Sequence, residues 1–138
     1  MAKFNIYLFA VLSLIMAACG SDDNDVTTPE CPVDLLCTEQ FEIITVTVTE
    51  NGEPVTLDNF KTVNMANGKI YDFQGSEFLE PGVYILVTDG QFDEIAKDGT
   101  SLRFEGSIQD AVVVDEIFEV GHDCCHVLLV DGDLEIQL

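Results

Sequence analysis

The sequence predicts an all-β protein: a single antiparallel β-sandwich of seven or eight strands, preceded by an N-terminal tether. Three observations carry this prediction. β-Branched residues alternate with period two from residue 41 onward. Turn dipeptides rich in Gly, Asn, Asp and Pro recur at short intervals. What remains after the N-terminal segments is long enough for one core and too short for two.

Residues 1–18 read as a secretory signal peptide. Lys3 and the amino terminus precede fifteen apolar-rich residues, Phe4 to Ala18, a run shorter than the roughly 20 residues of a membrane-spanning helix and ending in small residues that suit a peptidase. Met16-Ala17-Ala18-Cys19 resembles the lipobox of bacterial lipoproteins, with Met16 where that family usually has Leu. The resemblance implies that Cys19 is lipidated and becomes the first mature residue. Ser21-Asp22-Asp23-Asn24-Asp25 resembles the acidic export signal of Bacteroidota-type surface lipoproteins, with Ser21, Asp22, Asp23 and Asp25 as the signal residues. It implies a lipid anchor in the outer membrane, facing the cell exterior. The same composition would in any case form a solvated linker.

Residues 19–36 form the lipidated acidic tether, containing Thr27, Thr28, Pro29 and Pro32 and no sustained period. The eighteen steps from Cys19 to Cys37 reach at most ~60 Å, and average ~25 Å as a flexible coil. The domain proper is expected over 37–138. Its first strand places Glu42, Ile44, Val46 and Val48 on one side and Phe41, Ile43, Thr45, Thr47 and Thr49 on the other. Asn51-Gly52 turns the chain, and Pro54-Val55 restarts an extended segment.

Further strands are expected at Phe60–Met65, Lys69–Phe73, Gly82–Thr88, Ser101–Ile108, Val112–Val120, Cys125–Val130 and Leu134–Leu138. They are separated by Ala66-Asn67-Gly68, Glu80-Pro81-Gly82, Asp98-Gly99-Thr100, Gln109-Asp110 and Asp131-Gly132-Asp133. A helical turn is expected only at Phe92–Lys97. The stretch Val46 to Asp58, with its Gly-x-Pro-Val turn, resembles the first hairpin of transthyretin-like and carboxypeptidase-regulatory-like modules. This implies an immunoglobulin/transthyretin-like sandwich and an accessory role, presenting or spacing other parts.

Removal of 18 of the 138 residues leaves 120, with Lys61, Lys69, Lys97 and Arg103 against 26 acidic side chains, or 4 minus 26, a formal charge of −22. Such a chain repels nucleic acid and anionic membrane surfaces, whose binding needs Lys and Arg at phosphate. The charge also accounts for simple solubility on a crowded surface.

Besides Cys19 the mature chain has Cys31, Cys37, Cys124 and Cys125, an even number in an oxidising compartment, so disulfides are expected. Three pairings exist. One joins Cys124 to Cys125 in a strained ring of neighbours; the other two join the N-terminal pair to the late one and are preferred. A long-range bridge would contribute roughly 4–5 kcal/mol in the chain-entropy model and pin the tether to the domain.

On an extended strand His122, Cys124 and His126 would share one face, an arrangement of imidazole and thiolate suited to zinc or copper with a fourth ligand from elsewhere. A disulfide at Cys124 would spoil it, because the two histidines alone lie ~13 Å apart on a strand. Asp131-Gly132-Asp133-Leu134-Glu135 offers alternating oxygens for calcium without the twelve-residue loop such sites use, and Asp-Gly is ordinary hairpin chemistry. Ser76, Ser101 and Ser107 sit in no Gly-x-Ser-x-Gly turn. No catalytic residue and no resident cofactor beyond the lipid is expected. Without Trp, and with Tyr71 and Tyr84 the only mature tyrosines, a sugar platform would rest on Phe or those two rings. The reading is a lipid-anchored, non-catalytic binding, adhesion or accessory protein with a protein or glycan ligand. The alternative is a metal-binding surface protein using His122, Cys124 and His126.

Overall fold

A computed structural model describes residues 31–75 and 79–138; Cys19, Ser21, Asp22, Asp23, Asp25 and Ser76 lie outside them. Nine strands follow in order: β1 (Ile43–Glu50), β2 (Glu53–Pro54), β3 (Asn59–Asn64), β4 (Ile70–Tyr71), β5 (Val83–Thr88), β6 (Thr100–Ile108), β7 (Ala111–His122), β8 (Val127–Asp131) and β9 (Glu135–Gln137). One sheet has the order β4-β3-β6-β7-β8, and the other sets β1 between β5 with β2 on one flank and β9 on the other. The two sheets close on a shared apolar core, so the chain is an all-β sandwich.

Alternation builds that core. In β1 Val46 and Val48 are fully buried while Ile43, and Phe41 just before the strand, stay exposed, as the period-two pattern requires. β6 turns Leu102 and Phe104 inward, where they join Phe118 and Val120 of β7 and Leu86 and Val87 of β5 in one buried cluster. The rings of Phe60, Tyr84 and Phe104 meet where the sheets face each other, with Phe60 and Tyr84 centroids 4.9 Å apart. The Tyr84 hydroxyl donates to Val55 O at 2.7 Å and accepts from Leu57 N–H at 2.7 Å, which fastens the β2–β3 connection over the core edge. Asn64, also fully buried, donates to the Tyr71 hydroxyl and to Glu94 O and accepts from Ala66 N–H, so its amide is satisfied.

Turn chemistry fixes the hairpins. Asn51 and Gly52 adopt φ of 52° and 84°, the left-handed pair that matches strand twist and that Asn-Gly supplies at least cost. Gln109 and Asp110 make the same turn without glycine (φ 50° and 64°), and Gln109 N–H donates to the Asp58 carboxylate at 2.7 Å.

Several expectations are corrected. There are nine strands and not seven or eight, because Glu53–Pro54 pairs with β1 on its own. The sandwich is not wholly antiparallel: β9 runs parallel to β1, with Val48 opposite Ile136. Lys69–Phe73 shortens to Ile70–Tyr71, since Asp72 accepts from Gln74 N–H at 3.0 Å and turns the chain. The helical turn is 3-10 and begins earlier, at Asp89–Glu94, because Thr88 and Gln91 cap it reciprocally. Finally, Cys125–Val130 is a strand only from Val127.

Candidate functional site: a disulfide-clamped turn with two histidines

The β7–β8 connection, residues 123–126, is a tight turn and not the extended strand expected for His122 to His126. Its backbone donors are all satisfied locally. Asp123 Oδ1 accepts from Cys125 N–H at 2.9 Å and His126 N–H at 2.8 Å, His122 Nδ1 accepts from Cys124 N–H at 3.1 Å, and Asp123 N–H donates to His126 O. These donors, led by the His126 and Cys125 amides, hold the Asp123 carboxyl below its ordinary value of 3.8. Cys124 takes a φ of 81°, which non-glycine residues adopt only where surrounding bonds enforce it.

Two disulfides grip this turn, Cys31–Cys124 and Cys37–Cys125. They are one of the two long-range pairings, and they fasten the tether to the sandwich. The local Cys124–Cys125 and Cys31–Cys37 alternative is not the one formed.

The histidines part company. His126 Nδ1 lies 2.7 Å from Asp89 Oδ2, and its Nε2 lies 3.1 Å from Thr38 Oγ1 on the segment leading to β1. Asp89 also accepts from Glu42 N–H and Val127 N–H, each at 2.8 Å. One carboxylate thus joins the entry to β1, the 3-10 turn and the start of β8, and through His126 reaches Thr38. His122 instead packs its ring on Phe92 with centroids 4.4 Å apart, and its N–H donates to Lys97 O at 3.4 Å. A side chain on the preceding Gly121 would bring Cβ within 2.6 Å of that same carbonyl, so glycine is what lets the 96–99 turn lie against β7.

No protein-family model, curated protein or solved structure matches this chain. His122, Cys124 and His126 do not share a face as an extended strand would give them, since the turn separates His126 and commits both its ring nitrogens to Asp89 and Thr38. Among the described residues, the donor atoms that do converge are those of Cys31, His122 and Cys124, within 4.8 Å of one another. Asp131 and Glu135 end and begin strands, and Asp133 Oδ1 accepts from Glu135 N–H at 3.0 Å in an ordinary Asx turn. Ser101 donates to Glu119 at 2.8 Å.

Asp89 was not singled out by the sequence reading. Its signal was the Thr88-Asp89-Gly90-Gln91 capping box, which marks a turn start and thereby a positioned acid.

The His126–Asp89 pair sets a pH dependence. The bond to Asp89 raises His126 above its ordinary 6.5 against the opposing effect of burial, and the Asp89, Asp123 and Glu42 charges add to it. Burial alone would raise the Asp89 carboxyl, but the Glu42 amide, His126 and the Val127 amide outweigh it and hold it below 3.8. The His126 contribution is complete below pH 6.5 and is lost as pH rises through the raised value; the Asp89 contribution is complete above 3.8 and is lost as pH falls through the lowered value. The pair therefore stabilises most between about pH 4 and 6.5. Asp89→Asn is expected to cost about 1–2 kcal/mol through the backbone donors it disappoints. Melting curves from pH 3 to 9 should show the gap from wild type widest inside that window, and a pH-independent gap would refute the coupling. His122 moves oppositely, lowered by burial and by the Lys97 charge.

At the other end of the five-stranded sheet lies an open groove of about 400 Å³. Asn59, Gln74, Asp72 and Asp110 border it over the apolar Ile70 and Val112. Ten steps along β7 lead from Val112 to His122, so the groove stands about 30 Å from the clamped turn.

Proposed function

We propose that the protein is a lipid-anchored, non-catalytic binding or accessory module of the outer bacterial surface, attached through Cys19 and displaying the sandwich outward. The observation that carries this reading is the pair of bridges from Cys31 and Cys37 to the β7–β8 turn. A free tether could let the domain tumble, whereas this one is fixed to one pole. Twelve steps of chain lie between Cys19 and Cys31, a reach of at most ~40 Å. The clamped pole then faces the membrane, and the groove bordered by Asn59, Gln74, Asp72 and Asp110 faces away from it. Amides and carboxylates over apolar side chains suit hydrogen bonding to a neutral glycan or an extended protein segment. Among the described residues no helix is long and apolar enough to cross a membrane, so in this reading the lipid is the attachment.

Mass spectrometry of the intact protein from a bacterial host that processes lipoproteins tests the anchor. The expected species begins at Cys19, carries a diacylglyceryl adduct, and partitions into the detergent phase. Cys19→Ser should leave the protein unlipidated. A wild-type chain cleaved elsewhere, or cleaved at Cys19 without added lipid, refutes the reading.

A further inference from the structure

We propose that Cys31, Cys124 and His122 form a disulfide-gated site for a soft or borderline metal ion, zinc or monovalent copper, that opens when the Cys31–Cys124 bridge is reduced. The sequence grouped His122 with Cys124 and His126; the fold replaces His126 with Cys31, ninety-three positions from its partner.

Opening the bridge would let three nearby donors take up ligand spacing. The two sulfurs and an imidazole nitrogen lie within 4.8 Å of one another, and tetrahedral zinc with bonds of about 2.1–2.3 Å sets its ligands about 3.4–3.8 Å apart. Two thiolates and one imidazole are the donors that zinc and monovalent copper favour, leaving one position for solvent or a further ligand.

The scaffold holds two of the three donors in place without the bridge. Cys124 is fixed by the Asp123 turn, and the His122 ring is held against Phe92; ligation replaces the bond that His122 Nδ1 accepts from Cys124 N–H, because a neutral imidazole has a single lone pair to give. Cys31 is on the tether, and the bonds of Thr38 to His126 and of Glu42 to Asp89 keep that end of it beside the turn even without the Cys37–Cys125 bridge. A metal would thus restore the link that reduction removes.

The redox step balances with a dithiol as reductant. One of its thiolates attacks a bridge sulfur to give a mixed disulfide, and its second thiol resolves this. Cys31 and Cys124 are left as thiols and the reductant as a cyclic disulfide. Metal binding then displaces the two thiol protons.

The test uses the mature chain and the variant Cys37→Ser/Cys125→Ser, in which only the Cys31–Cys124 bridge remains, each oxidised or reduced with a phosphine that is itself oxidised to its oxide. Zinc is titrated against a chromophoric chelator and counted by elemental analysis after desalting. One zinc per reduced variant chain is expected, with at least tenfold weaker binding when His122→Ala is added. The oxidised forms should show only the weak binding of an acidic surface. Equal affinity with and without His122, equal affinity oxidised and reduced, or no retained zinc would each overturn the proposal. So would a reduced variant that loses its near-ultraviolet circular dichroism and does not regain it with zinc.

Discussion

Phe104→Ala is expected to lower the stability of the sandwich by about 3–5 kcal/mol, the range for deleting a fully buried aromatic side chain. Phe104 has no exposed surface. It lies on the middle strand of the five-stranded sheet, opposite Thr62 of β3 and Glu116 of β7. Its ring meets Phe60 at 6.0 Å and Tyr84 of the facing sheet at 6.3 Å, so its loss opens a void where three rings bridge the two layers. Collapse into that void is hindered, because Tyr84 is held by its hydroxyl bonds to Val55 and Leu57. The melting temperature should fall by about 15–30 °C for a domain of this size. Phe104→Leu, which keeps most of the volume, should lose less than half as much. Equal effects of the two substitutions would show that the site is not packed as described.

Removing both disulfides is expected to cost about 2 kcal/mol, roughly 8–16 °C of melting temperature, while removing either one alone costs a few degrees at most. The chain-entropy estimate of 4–5 kcal/mol for an isolated long loop overstates the effect, for a reason only the fold supplies. Glu42 is pinned to Asp89 through its backbone N–H and C=O, so in the folded chain Cys37 stays within a few residues of its partner even when reduced. The bridge then removes an 88-residue loop from the unfolded state but also a short one from the native state, and only the ratio counts. The second bridge lies beside the first, with Cys31 and Cys37 meeting adjacent residues. Once one is closed, the other closes a small ring in folded and unfolded chains alike. Melting curves of wild type, Cys31→Ser/Cys124→Ser, Cys37→Ser/Cys125→Ser and the fourfold variant check this. Additive losses from the two single-pair variants would contradict it.

The expected strand at residues 41–49 and the buried Val46 and Val48 follow from alternation alone, because a half-buried strand writes its two faces into the chain. The Asn51-Gly52 turn is equally local. Two departures from the local pattern have different causes. His122 to His126 looked extended because β-compatible residues flank it on both sides, yet Asp123 capturing two backbone amides made it a turn. The parallel pairing of β9 with β1 carried no local mark, since Val48 and Ile136 meet across most of the domain.

Local side-chain chemistry by itself thus determined the all-β character, most strand positions, the turns, the strong negative charge and the presence of four cysteines available to pair. Which cysteine meets which, which histidine stands beside the sulfurs, and which is locked onto Asp89 were decided by the tertiary structure. Spacing along the chain sets period and propensity, but the meeting of Cys31 with Cys124 depends on how two sheets stack and where the β7–β8 turn comes to rest. That distance exists only after folding.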